Sequence, residues 1–292
     1  TYSYTRDIKP IIDQKCIACH GCYDAPCQLK LTSSEGLQRG ATKKPVYDSA
    51  RLHDMAPTRL FIDATTPAEW RGKGFYPVLS EQVGSLDDNL ESSLLYNMIR
   101  LGKEHPLPAY APVPDHIQLG LRRKSECPLP GKFADYAQKY PQQGMPLAIT
   151  GLSDDEFATL RQWIREGAVI DAQPVQLQPQ EQAHIRQWET FFNRTPLKNR
   201  LVSRYLYEHF FLAHLYFDGL DTGNFFELVR SRTPPGQPID IIATRRPYDD
   251  PGAERFYYRL QLRHTARLAK RHMPYALNPE RMVRWAELFL AP

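Results

Sequence analysis

Five residues near the start of the chain, Cys16-Ile17-Ala18-Cys19-His20, constrain its folding more than any other stretch. Two thiols three positions apart lie on one side of a helical turn, so both can form thioethers to the vinyl groups of one porphyrin. The adjacent imidazole then reaches the iron as proximal ligand, which makes this the attachment pattern of a c-type haem. Cys16, Cys19 and His20 are therefore the expected holders of one covalent haem c. Other uses of the cysteines fit less well. The run on to Cys22 and Cys27 is close to a ferredoxin cluster sequence, but its last spacing is one residue too long and Pro26 precedes the final cysteine instead of following it. A zinc site needs a second pair of ligands, and only Cys127 remains among the cysteines. A disulfide framework would leave His20 without a purpose.

The iron needs a sixth ligand, and Met145 in Gly144-Met145-Pro146 is the candidate. It leads into a well-specified helix. Ser153 and Glu156 make a capping box, Leu152 and Phe157 a hydrophobic staple, and Phe157, Leu160 and Ile164 one apolar face. Gly167 suits the left-handed residue that ends such a helix. A Met-Pro loop followed by this helix looks like the second half of a cytochrome c domain. Met145 as a gap-filling core residue is the plainer reading, and Met273 is a rival ligand without the supporting helix.

A chain of 292 residues suffices for one large or two ordinary domains, and 42% hydrophobic with 24% charged residues describes a globular protein. No stretch approaches the ~20 apolar residues that span a bilayer. Covalent haem attachment takes place outside the cytoplasm, so the chain reads as an exported protein whose signal segment has been removed. With Cys16 and Cys19 on the haem, one pair among Cys22, Cys27 and Cys127 should close in an oxidising compartment, and the sequence does not choose which. Charge is uneven. Residues 1–171 hold 20 basic against 21 acidic side chains, and residues 172–292 hold 17 against 12. The basic half would suit peripheral contact with an anionic membrane surface, although a solvated face explains five charges equally well.

The pattern predicts a first helix over Tyr4 to Lys15 despite Pro10, a short strand at Leu60-Phe61-Ile62-Asp63, a helix capped by Thr66 with Pro67 at its first position, and a helix over Ser92 to Leu101. Residues 105–146 carry eight prolines, which excludes regular helix or central strand and suggests a loop wrapped against the haem edge. Beyond a linker at 172–182 come a helix over Glu181 to Phe192 and a very apolar helix over Leu201 to Phe217. The latter is a core element by default, or the wall of an apolar channel. Phe225 to Ser231, Pro238 to Thr244 and Phe256 to Leu262 read as a small antiparallel sheet, and Met282 to Leu290 as a terminal helix. Arg259, Arg263, Arg267 and Arg271 would form a basic stripe if helical. The expected fold class is mainly α (α+β). A cytochrome c-like haem domain over 1–171, with an insertion at about 21–140, precedes a helical region with a small sheet over 183–292.

Several stretches, spread from end to end, resemble the periplasmic fatty acid cis/trans isomerases of Gram-negative bacteria. They are the stretches from Tyr4 to Ile11, from Cys16 through Cys27-Gln28-Leu29, from Arg59 to Ala64, from Glu69 to Leu79, from Arg204 to Phe217, from Thr244 to Pro251 and from His272 to Leu277. Members of that family are longer, and this chain resembles their N-terminal portion. The resemblance implies a periplasmic isomerase that converts cis-unsaturated acyl chains of membrane lipids to trans. Haem iron would take part, with His20 at the reactive centre, and residues 183–292 would contribute to the acyl-chain site. The physical difficulty is the barrier. Even the partial double bond of a peptide resists rotation by about 18–20 kcal/mol, and an alkene is stiffer, so π density must be withdrawn transiently. Met/His ligation raises the haem potential and suits that task, yet it leaves the iron no open position. No G-x-G-x-x-G opens a helix and no phosphate loop is present, so neither nucleotide nor nucleic acid is an expected partner. The alternative function is a c-type electron-transfer domain or subunit. A c-type peroxidase would carry a second Cys-x-x-Cys-His, which this sequence lacks.

Overall fold

The computed structural model describes residues 1–47, 55–81, 84–108, 110–120, 123, 126–172, 175–263 and 273–291. The chain folds as two units, Thr1–Gln173 and Pro174–Pro292.

The first unit is helical. Ser3 caps its first turn by accepting from the Arg6 N–H at 3.1 Å. That turn, Tyr4–Ile8, is wide, with the Lys9 N–H donating to the Tyr4 carbonyl five residues back. Pro10 explains the widening, because its ring crowds the carbonyl four residues before it and it has no N–H to offer. The helix then continues as α1 (Lys9–Lys15) and, after an irregular Cys16, as α2 (Ile17–His20). The predicted first helix is therefore present with its blemish resolved. Short helices follow: α3 (Ser34–Arg39), α4 (Pro67–Gly72), α5 (Leu86–Glu91), α6 (Leu94–Glu104), α7 (Phe133–Lys139) and α8 (Asp154–Arg165). Isolated helices of this length are marginal in water, and local caps support them. Thr66 with Glu69, Ser85 with Asp88 and Ser153 with Glu156 each form a reciprocal capping box. Asn89 donates to the Arg165 carbonyl at the far end of α8. Tyr4 and Trp163 pack with ring centres 5.8 Å apart, and the Asp171 carboxylate accepts from the Thr5 N–H at 3.0 Å, so the two ends of the unit meet.

Two expectations here are corrected. Leu60 to Asp63 is a turn with a single bridge between Leu60 and Ala64, not a strand. The proline-rich segment is mostly loop, but the seven-residue α7 fits in the proline-free stretch between Pro130 and Pro141.

The second unit begins with α9 (Pro179–Phe192) and α10 (Leu197–Phe210) and adds a four-stranded sheet in the order β3-β2-β1-β4. The strands are β1 (His214–Phe217), β2 (Phe225–Ser231), β3 (Tyr257–Arg263) and β4 (Pro274–Leu277). β2 pairs antiparallel with β1 and β3, whereas β1 and β4 run parallel, so the sheet is mixed and not purely antiparallel. The predicted helix over Leu201 to Phe217 ends at Phe210, and its last four residues form β1. A short aromatic run satisfies helix and strand alike, and pairing with the distant β4 decides the matter. Pro238 to Thr244 is irregular and touches the sheet by one bridge, Ser231 to Ile241. There the Ser231 and Thr233 hydroxyls take up the Asp240 N–H and the Pro238 carbonyl instead of a ladder. The terminal helix α11 (Pro279–Trp285) relaxes into a wide turn over Ala286–Leu290.

The core of this unit gathers Trp188, Phe192, Leu206, Leu215, Phe226 and Trp285. Of the 201–217 run, Val202, Leu206, Tyr207, Leu215 and Phe217 join it, whereas Leu201, Tyr205 and Leu212 are exposed. α9 is tied to β3 by polar contacts as well. Asn193 exchanges two hydrogen bonds with the Tyr258 backbone, and Glu189 accepts from the Leu260 N–H. Arg259 and Arg263 lie in β3, which excludes a helical stripe through them, and Arg267 and Arg271 lie outside the described residues. Among the described residues no helix is long and apolar enough to cross a membrane.

Candidate functional site: the cavity of the first unit

The helical run through Cys16 determines where its neighbours point. The Cys16 N–H donates to Ile12 and the His20 N–H to Cys16, so both cysteines and the imidazole fall within one helical segment. They line a cavity of about 340 Å³, at the lower end of the range for small-molecule sites. Met145 lines the same cavity, so the structure brings together all four sequence-predicted site residues, Cys16, Cys19, His20 and Met145. Most of the remaining wall is apolar, with Ile12, Leu29, Val78, Leu94, Met98 and Ile99 among its members.

His20 is buried, and burial holds its pKa below the ordinary histidine value. Its Nδ1 lies 2.8 Å from the Leu29 carbonyl oxygen. A carbonyl only accepts, so Nδ1 carries the proton and Nε2 keeps a free lone pair. Leu29 follows Cys27 and Gln28, two non-glycine residues in the left-handed region. That backbone is pinned on both sides. Cys27 is joined to Cys127 with the Cα atoms 5.8 Å apart, and the Gln28 amide donates to the Lys44 carbonyl. Among the three open pairings the structure thus selects Cys27–Cys127 and leaves Cys22 free.

Cys16 and Cys19 are free thiols. Burial, with Asp13 and Cys19 adding smaller effects, pushes the Cys16 thiol up to about 12. It is a poor thiolate, unlike a nucleophilic or redox cysteine. A four-cysteine cluster on this run would also need Cys27, which the disulfide occupies. Among the described residues no group of three or more His, Cys, Asp or Glu side chains could hold a metal ion by themselves.

Met145 is held by its backbone. Its N–H donates to the Met98 carbonyl of α6 at 2.8 Å. The approach is close because two glycines face each other. A Cβ on Gly102 would lie 2.3 Å from the Met145 oxygen, and one on Gly144 would lie 2.0 Å from the Gly102 nitrogen. Met273, the rival, belongs to the other unit and is exposed, and the preceding His272 lies outside the described residues.

The lining residues that the sequence did not mark as site residues include Tyr76, His116, Arg123 and Tyr136. The Tyr76 hydroxyl is buried without a hydrogen-bond partner, and burial pushes its pKa up to about 12. Arg123 donates to the Asp24 carbonyl at 2.6 Å. The basic triplet Arg122-Arg123-Lys124 inside a proline-rich loop is the signal that would have marked it. Residues 116–119, Pro128, Tyr136 and Tyr140 carry the proline-rich segment onto the cavity wall.

A largely apolar cavity with a few convergent polar groups has the make-up of a small-molecule site. The chain belongs to the fatty acid cis/trans isomerase (CTI) family, whose sequence profile matches residues 55–292. It is thus an isomerase of fatty acids, α+β in class. The match includes Met145 and begins after the Cys16–His20 stretch. No curated protein and no solved structure gives a significant match.

Proposed function

We propose that this protein is a periplasmic, haem c-dependent isomerase that turns cis double bonds in the acyl chains of membrane lipids to trans. The observation that carries the reading is one apolar cavity lined at once by Cys16, Cys19, His20 and Met145. The donor set suits the cofactor. Two free thiols would form its thioethers, and the His20 Nε2 would be the proximal ligand. The Nδ1 bond to the Leu29 carbonyl is the contact that orients such a ligand and raises its basicity. Met145 is the sixth ligand in this reading. When bound, the group supplies an electron-poor iron porphyrin that can draw π density from a double bond, which is what rotation requires.

The chain's own residues perform the rest. The apolar wall around Val78, Leu94 and Ile99 binds hydrocarbon and excludes water from the reacting carbons. His20 holds the cofactor in one orientation, and the disulfide with the left-handed pair at 27–28 keeps the Leu29 carbonyl in place behind it. No proton transfer is needed, since substrate and product differ only in geometry.

The test is to incubate the haem-loaded protein with a cis-unsaturated fatty acid and separate the products by chromatography. Trans product is expected from the native protein and none from Cys16→Ser/Cys19→Ser or His20→Ala. Conversion that survives removal of the haem would overturn haem dependence. Electron transfer to a redox partner at full rate, with no trans product from any cis acid, would favour the cytochrome alternative.

A further inference from the structure

The second unit carries a groove of its own. It has a volume of about 1310 Å³ and is lined by Arg194, Arg200, Arg204, Arg230 and Arg255 with several aromatic rings. Arg200 and Arg204 lie one turn apart on α10, and Arg194 lies just before that helix. All three are exposed, as are Leu197 and Leu201 on the same lining.

Arg230 differs from them. It stands in β2 on the face that buries Phe226 and Leu228, and it is only 5% exposed. Its guanidinium lies 5.0 Å from the Tyr207 ring and 5.8 Å from that of Phe256. It donates to the Asp249 carbonyl and the Thr244 hydroxyl, while its Nε, like those of Arg39, Arg123 and Arg259, is buried with no hydrogen-bond partner. None of these acceptors is an anion. In the neighbouring strand Arg259 shows the ordinary solution for a buried cation, with Nε 2.9 Å from the Glu189 carboxylate. A buried guanidinium without a countercharge is costly unless an anion comes to it.

Lack of a carboxylate is not by itself a site. Arg39 in the first unit is also buried, held by the Thr58 and Gln28 carbonyls between Trp70 and Phe75, and burial lowers its pKa to about 10. It lines neither cavity and serves as a strut. Arg230 opens on a groove where other guanidinium groups gather. Three carboxylates, Asp249, Asp250 and Glu254, line the groove against five arginines, and none of the three forms an ion pair with Arg230; Arg204 is paired with Glu208.

We propose that this groove binds the phosphodiester of a membrane phospholipid, gripped by the buried Arg230 and by Arg194 and Arg200, with Leu197 and Leu201 entering the acyl boundary. Guanidinium forks match phosphate oxygens, and exposed leucines beside arginines suit a bilayer interface. The proposal rests on the lipid-substrate reading above and adds a headgroup site to it.

Co-sedimentation of the intact haem-loaded protein with phosphatidylcholine vesicles, with and without phosphatidylglycerol, tests it. Binding to the anionic vesicles is expected to fall about fivefold for each of Arg194→Ala and Arg200→Ala, and several-fold in Arg230→Lys, which keeps the charge and loses the fork. Arg161→Ala/Arg186→Ala removes the same charge elsewhere and should have the smaller effect. An equal loss in that control would overturn the site in favour of diffuse attraction, as would unchanged binding in Arg194→Ala/Arg200→Ala. If glycerophosphate or inorganic phosphate binds as tightly as the vesicles, the site is for a soluble phosphate and the lipid assignment falls. Because no turnover is read, absent isomerisation with arginine-dependent vesicle binding refutes the haem reading and supports the groove. Intact isomerisation with arginine-independent binding refutes the groove alone.

Discussion

The two units solve the problem of holding a hydrocarbon-binding protein together in opposite ways. The first is assembled from short capped helices and proline-rich loop around an apolar cavity, and it is joined across a separation of 100 residues by Cys27–Cys127. The second is a dense aromatic core between two fourteen-residue helices and a sheet, and core members Phe192, Tyr207 and Tyr258 also line its arginine-lined groove. Cohesion in the first unit is distributed over buried side chains such as Ile8, Leu37 and Trp163 and over caps, a cross-link and close glycine contacts. In the second it is concentrated in packing and one buried ion pair. The cost of a single substitution should therefore be larger and more local in the second.

Arg259→Met puts that to the sharpest test. It strands the Glu189 carboxylate, 2% exposed, and abandons the carbonyls of Thr233, Pro234 and Gln237. Breaking a buried pair from one side costs about 3–5 kcal/mol. Urea unfolding followed by tryptophan fluorescence should show the transition of the second unit moving to lower denaturant, with that of the first in place. A shift of both together would show that the two unfold as one cooperative body.

The first unit's counterpart is its cross-link. Cys27→Ala/Cys127→Ala should lower its stability by about 2–4 kcal/mol, because the unfolded chain gains the freedom of a very long loop. It should also release the Leu29 carbonyl from His20. Haem attachment, read by pyridine haemochrome absorbance, is expected to fall in this variant even where the unit still folds.

Next in size is Gly102→Ala. Its Cβ would meet the Met145 backbone at 2.3 Å, closer than real contacts allow, so the loop must shift. Overpacking of this kind costs about 1–3 kcal/mol. With covalent haem retained, the ferric Met–iron absorption should weaken or vanish. Full retention of that band with the same fold would mean that Met145 is not placed by this contact.

How much of this was legible depended on range. The α8 capping box at Ser153 and Glu156, the Thr66-Pro67 start of α4 and the left-handed Gly167 were readable because each involves residues within one turn. The Cys16 to His20 segment was readable for the same reason. What escaped depends on contacts between distant residues. β1 hides in an apolar run until β4 pairs with it, and the Cys27–Cys127 link spans a stretch no local rule covers. Leu29 contributes a carbonyl, which every residue has. Arg230 reads as one more charge in a basic half, and only burial beside Tyr207 separates it from the rest.

The smallest effect concerns the clasp between the ends of the first unit. Hydrogen bonds from Ser3 and the Thr5 backbone hold the Asp171 carboxyl below the usual aspartate range. A carboxylate whose pKa is depressed on folding contributes stability at pH values above its unfolded pKa. That contribution disappears as the pH falls through the folded value. Asp171→Asn removes the titrating group and should leave thermal stability at neutral pH slightly lower, with a shallower decline between about pH 4 and pH 2. The second unit has no part in this clasp, so its own acid transition should be identical in the two proteins. If the variant and the native protein decline in parallel over that range, the ends of the first unit are held by the Tyr4–Trp163 packing alone.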